Sequence, residues 1–89
     1  MSEYRVEYSK DALRVLRKLD ASTARLIVAW VRKALEGCVD PRAHGHALTA
    51  DRRGLWRYRV GDYRLIAKID DNRLIILMID IGHRSVIYR

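Results

Sequence analysis

From Leu55 to Ile69 the chain alternates apolar and polar residues with period two, and a nearly continuous apolar run follows a second turn signal. This pattern constrains the fold more than any other feature. Trp56, Tyr58 and Val60 fall on one side of a strand and Arg57 and Arg59 on the other. Gly61-Asp62 marks a tight turn. The alternation resumes with Tyr63, Leu65, Ala67 and Ile69 set against Arg64, Ile66 and Lys68. Asp70-Asp71-Asn72 marks a second turn. Leu74 to Ile81 is almost continuously apolar, as in a strand covered on both faces. Three antiparallel strands are therefore expected in the second half of the chain.

The first half changes period. Tyr4, Val6 and Tyr8 alternate as a half-buried strand. Ser9 offers a helix N-cap with Asp11 in the first turn, and Ala12, Leu13, Leu16 and Leu19 follow at helical spacing. Asp20 or Ser22 can cap a second helix. Its apolar stripe is Ile27, Trp30, Val31, Ala34 and Leu35, with Leu26 beside it and Gly37 as the stop. The short connection predicts an antiparallel helical hairpin. From Cys38 to Gly54 the pattern dissolves into a loop around Pro41, with a short strand near Ala47 and Leu48. The expected fold class is α+β: one domain over residues 1–89, an antiparallel sheet of about four strands, and the helical hairpin packed on one face.

Charge narrows the function. The net charge is +7, so the folded chain repels itself and an acidic partner is implied. Nucleic acid, an acidic protein and an anionic membrane surface are the candidates. The membrane is the poorest of them, because Arg25, Arg32, Lys33 and Glu36 surround the core-facing stripe of the second helix. The longest apolar runs, Leu26 to Val31 and Leu74 to Ile79, are too short to span a bilayer. No signal-peptide pattern opens the sequence. The lone Cys38 makes no internal disulfide and has no metal-ligand spacing around it, so a reducing, cytoplasmic setting without a metal or other cofactor is expected.

The arginines carry the chemical reading. Arg57 and Arg59 point the same way, and a hairpin closed at Gly61-Asp62 brings Arg64 beside them. Guanidinium forks bind phosphate bidentately, so the cluster reads as a cradle for an RNA backbone, with Lys68 on the same alternation. Spacing alone fits a solvated sheet face equally well. His83, Arg84 and Tyr88 are expected at the edge of the same sheet. Histidine moves protons near neutral pH, arginine stabilises a crowded phosphate, and tyrosine stacks on bases or transfers protons. Each also has a plainer reading, His83 as a turn residue and Tyr88 as a lid on the core. No helix-turn-helix, zinc or RNP signature accompanies the charge, so a generic nucleic-acid module would rest on charge alone.

The run Leu55-Trp56-Arg57-Tyr58-Arg59-Val60-Gly61-Asp62-Tyr63-Arg64-Leu65-Ile66, the apolar strand after it, and Gly82-His83-Arg84 with Tyr88 resemble the RelE toxin family of the RelE/ParE superfamily. The N-terminal half fits the resemblance through Ser9-Lys10-Asp11-Ala12-Leu13, Leu16-Arg17-Lys18-Leu19 and Asp40-Pro41-Arg42. The resemblance implies a toxin of a type II toxin–antitoxin system. Such a toxin is a metal-independent endoribonuclease that cuts messenger RNA in the ribosomal A site by 2′-hydroxyl attack. It implies functional roles for Arg57, Arg59, Arg64, Arg84 and Tyr88; with His83 added from its own proton chemistry and Lys68 from its place in the alternation, the catalytic candidates are Arg59, Arg64, His83, Arg84 and Tyr88 and the RNA-binding ones Arg57, Arg59, Arg64 and Lys68. It further implies an acidic, RelB-like antitoxin, with DNA touched only through that antitoxin. Where family members often carry lysines, this chain has Arg57 and Arg59, and arginine does not give up its proton. The general base then falls to Tyr88 or His83. A helix that some members carry after the tyrosine is not expected here. The alternatives within the superfamily are a ParE-like gyrase inhibitor and a non-catalytic basic binding module.

Overall fold

The computed structural model describes residues 3–48 and 54–84. Strand β1 (Arg5–Tyr8) leads into helix α1 (Lys10–Lys18) and helix α2 (Ala21–Ala34). A 3₁₀ turn (Pro41–His44) precedes the two-residue strand β2 (His46–Ala47), and β3 (Leu55–Val60), β4 (Tyr63–Asp70) and β5 (Ile75–His83) complete the order.

Local chemistry sets the element boundaries. Ser9 Oγ accepts the Ala12 N–H at 3.1 Å and starts α1. Asp20, not Ser22, caps α2: its carboxylate accepts the Thr23 N–H at 3.2 Å and both hydroxyls of Ser22 and Thr23 at 2.6 Å. Those bonds hold the Asp20 carboxyl down at about 2, with the Ser22 hydroxyl the largest cause. Gly61 takes φ +59°, the left-handed conformation that the β3–β4 turn requires.

The sheet differs from the expected one in two respects. It has five strands in the order β1-β5-β4-β3-β2, and β1 lies parallel to β5 while every other pairing is antiparallel. The outer edge of β1 is occupied by the segment that follows α2. Tyr4 N–H donates to the Cys38 carbonyl and Gly37 N–H to the Tyr4 carbonyl, both at 2.8 Å. Val6 N–H donates to the Glu36 carboxylate at 3.0 Å. These bonds give partners to backbone groups that an edge strand otherwise exposes.

One sheet face carries the core. Ala12, Ile27, Val31 and Leu35 from the helices meet Tyr58, Val60, Leu65, Ala67, Ile76, Met78 and Ile81 from the strands. Helix α1 packs chiefly over β5, and α2 reaches β3. Leu26, expected beside the α2 stripe, is 59% exposed because the helix turns it away from the sheet; Leu13 is also exposed, at 36%. The apolar run of β5 is covered fully on the helix side only: Ile76 and Met78 are buried, whereas Ile75 and Leu77 on the other face are half-buried.

The connection before β2 is fastened at two points. The buried Tyr58 hydroxyl donates to the Pro41 carbonyl at 2.7 Å. The Arg42 guanidinium binds the Asp71 carboxylate through both nitrogens at 3.0 Å, and the Tyr4 hydroxyl donates to the same carboxylate at 2.6 Å. The Arg42 bond first, and the Tyr4 bond next, hold the Asp71 carboxyl below its ordinary value. A carboxyl depressed in the folded state stabilises the fold above its ordinary range, and that contribution is lost as pH falls through the folded value. Thermal melts should therefore find the gap between wild type and Asp71→Asn wide at neutral pH and closed under strongly acidic conditions. A gap independent of pH would show that the clamp does not act through the charge.

Candidate RNA-binding face

The sheet face away from the helices holds the basic residues, and strand register defines it. Arg59 pairs with Arg64 and Arg57 with Ile66 across the β3–β4 hairpin, so these four side chains share a face. On β5, Gly82 stands opposite Arg64 and Asp80 opposite Ile66. Gly82 projects no side chain over Arg64 at that level. A bulge between Ile66 and Ala67 shifts the register beyond it. Ile66 is 1% exposed although it lies outside the helix-covered core, so this face has an apolar floor.

Arg84 joins the cluster from the end of β5. Its backbone N–H donates to the Asp62 carbonyl at 2.9 Å, which ties it to the turn between the two arginine strands. The electrostatics record the convergence. Arg64 is pulled below the ordinary guanidinium value, first by burial and then by Arg59, Arg57 and Arg84, with Asp62 opposing. Arginine remains charged through such a shift. Like charges brought together on a sheet are destabilising by themselves. An anion inserted among them converts that repulsion into attraction.

The other candidates from the sequence divide. Lys68 lies on the arginine face but four residues along β4 from Arg64, about 13 Å at strand rise. It lines a separate cavity with Glu7, Asp70, Arg73, Ile75 and Leu77. His83 does not join the arginines. It pairs with Tyr63, and the two rings meet edge to face with centroids 5.5 Å apart, on the side of the sheet that carries Leu65 and Ile81. Tyr88 lies outside the described residues.

Two polar residues of this face, Asp80 on β5 and His46 on β2, were not singled out from the sequence. His46 pairs directly with Arg57, which sets its exposed side chain on the arginine face. The backbone beside it is pressed against β3: a Cβ on Gly45 would stand 2.2 Å from the Arg57 carbonyl oxygen. The usable signal is Gly45 next to His46 ahead of an arginine strand, and it is weak because a strand of two residues shows no alternation. Among the described residues, no three His, Cys, Asp or Glu side chains gather as metal ligands, and no helix is long and apolar enough to cross a membrane.

The described residues thus make a small α+β fold with arginines gathered on its open sheet face, and comparison with known proteins supplies the class. The chain belongs to the ParE toxin family of type II toxin–antitoxin systems, within the RelE/ParE superfamily; the family's sequence profile matches residues 6–88. Among characterised relatives, it is 35% identical to Toxin RelE of Mycobacterium tuberculosis, over 97% of this chain and 87% of that one. It is 30% identical to Toxin RelG of the same organism over 97% of both chains. Its fold superposes on the RelBE2 toxin–antitoxin complex of M. tuberculosis with a TM-score of 0.84, at 28% identity and covering 96% of this chain and 95% of that one. The archaeal RelE–RelB complex of Pyrococcus horikoshii gives a TM-score of 0.70, also at 28% identity, covering 97% and 99% of the two chains.

Proposed function

We propose that this toxin is a metal-independent endoribonuclease that cuts messenger RNA on the ribosome and so arrests translation in the cytoplasm. The observation that carries the reading is the convergence of Arg57, Arg59, Arg64 and Arg84 on one open sheet face. Four guanidiniums there suit a phosphodiester better than a neutral ligand. Arg64 and Arg84 stabilise the charge that builds on the pentacoordinate phosphorus, while Arg57 and Arg59 hold flanking phosphates. In the reaction the ribose 2′-hydroxyl loses its proton and its oxygen bonds to the adjacent phosphorus. The bond from phosphorus to the 5′-oxygen breaks, and that oxygen takes up a proton. The products are a 2′,3′-cyclic phosphate and a free 5′-hydroxyl.

Arginine supplies neither proton step. His46, opposite Arg57, and Asp80, opposite Ile66, are described side chains of the same face suited to them, whereas His83 lies on the reverse face. Tyr88 remains a further candidate for the same work. The proposed protein partner is an acidic, RelB-like antitoxin, drawn to a chain of net charge +7. The solved relatives named RelBE2 and RelE–RelB are toxin–antitoxin complexes, which supports that partner. DNA is contacted only through it.

The match to the ParE family favours a second reading, inhibition of DNA gyrase without RNA cleavage. One experiment separates the two. Primer extension on messenger RNA after induction, run beside a gyrase supercoiling assay, should give ribosome-dependent ends and unimpaired supercoiling. Intact transcripts with blocked supercoiling would replace the nuclease reading with the gyrase one.

A further inference from the structure

The arginine cluster does not occupy the whole open face. Farther along, β1, β5 and β4 form two adjacent rows. Glu7, Leu77 and Lys68 make one row across the three strands, and Ile75 and Asp70 lie in the next. Together with Arg73 they line a cavity of about 180 Å³. That is room for one planar ring system, in a depression whose Glu7, Lys68 and Arg73 walls are exposed.

The lining has an uncommon composition. Its floor is apolar, from Ile75 and Leu77, and its walls carry two carboxylates and two cations. Opposite charges in so small a space normally pair. Here they do not: the ion pairs among the described residues are Arg14–Asp11 and Arg42–Asp71. Asp70 Oδ1 accepts from the Asn72 and Arg73 N–H groups at 3.0 and 3.1 Å, which holds that carboxylate to the turn and leaves Glu7 as the lining carboxylate without a hydrogen bond among the described residues. Glu7 and Lys68 stand on either side of Leu77 with one strand between them, about 9.5 Å apart at normal strand spacing.

A ligand suited to this cavity is flat, apolar on its faces, and carries adjacent donors and an acceptor on its edge. Among the RNA bases, guanine alone presents two parallel donors, N1–H and the 2-amino group, beside an acceptor, O6. A carboxylate accepts two parallel donors, and an ammonium or guanidinium donates to the acceptor. Cytosine and adenine place an acceptor next to their amino group, and uracil has a single donor between two acceptors; each leaves a carboxylate facing a lone pair.

We propose that the cavity lined by Glu7, Lys68, Asp70, Arg73, Ile75 and Leu77 is a guanine-reading subsite. It would take the base of a nucleotide near, but not at, the phosphate held by the arginines. Its use in choosing a cleavage site rests on the nuclease reading above, while the recognition itself is a binding property testable without cleavage.

The test is an NMR titration of the full chain with GMP and with IMP. These share the phosphate and differ only in the 2-amino group. GMP should shift the backbone amides of Glu7, Asp70 and Leu77 and bind about tenfold to a hundredfold more tightly than IMP, the loss expected for a hydrogen bond to a charged acceptor. Glu7→Gln should erase that ratio, and Arg64→Met should preserve it. Equal affinities for the two nucleotides, or shifts confined to Arg57, Arg59 and Arg64, would overturn the subsite. Sequencing of RNA ends after induction supplies the second arm, with guanine enriched at a fixed offset from the cut in wild type and not in Glu7→Gln. Discrimination between GMP and IMP without any RNA ends would leave the subsite standing and remove the nuclease reading.

Discussion

Arg64→Met is expected to lower RNA cleavage by about 10²–10³-fold, the loss seen when one donor to a developing oxyanion is removed, without unfolding the protein. Methionine retains a stem of similar length over the strand and removes only the charged head. Arg64 sits on the interior strand β4, paired with Arg59, and it feels Arg57 and Arg84 as well. Removing its charge relieves the repulsion from Arg59, Arg57 and Arg84 and forfeits the attraction to Asp62. The change in melting temperature measured in dilute buffer is then electrostatic in origin. The difference from wild type should shrink in about 1 M salt, where the screening length falls to about 3 Å. Single-turnover cleavage and melts at two salt concentrations read both effects. A variant that cleaves at the wild-type rate would remove Arg64 from the chemistry. A variant that loses stability and activity together would make it a structural residue.

The same arginines show what the sequence makes legible. Period-two alternation from Leu55 to Ile69 is a local property, so the β3–β4 hairpin and the shared face of Arg57, Arg59 and Arg64 follow from neighbouring residues. The face of His83 follows from the same rule applied one step further. Adjacent residues in a strand point to opposite sides, so Arg84 on the arginine face sets His83 on the other. The near-continuous apolar run of β5, with a bulge opposite Ile66 and Ala67, obscures that parity in the sequence. The parallel pairing of β1 with β5 joins Arg5 to Ile75 and Val6 to Ile76 across most of the chain, and no local pattern encodes it. The strand β2 (His46–Ala47) falls one residue before the short strand expected near Ala47 and Leu48. Two residues carry no period, and their placement depends on how closely Gly45 approaches β3.

That approach makes Gly45→Ala the second large-effect substitution. Gly45 has φ −156°, extended backbone open to any residue, so conformation is not what demands glycine. Contact is. An added Cβ would lie 2.2 Å from the Arg57 carbonyl oxygen, 2.8 Å from Trp56 Nε1 and 2.9 Å from Tyr58 Cδ1. The first of these is backbone of an interior strand and the last belongs to a fully buried ring, so neither can swing aside. Overpacking of this kind costs about 1–3 kcal/mol when the structure absorbs it in place. Lifting the segment away is the easier response, because among the described residues β2 is held by two pairs, His46–Arg57 and Ala47–Trp56, with the Leu48 N–H bond to the Leu55 carbonyl at 3.0 Å beside them. His46 then leaves the arginine face while the arginines stay. RNA binding at low salt should be nearly unchanged, and cleavage should fall by about 10²–10⁴-fold, the usual contribution of a positioned general base or acid. His46→Gln should reproduce the loss of cleavage with the melting temperature intact. Wild-type cleavage by Gly45→Ala would mean that β2 does not position the proton-transfer group. Loss of RNA binding in step with cleavage would mean that the whole face, and not His46 alone, depends on the contact.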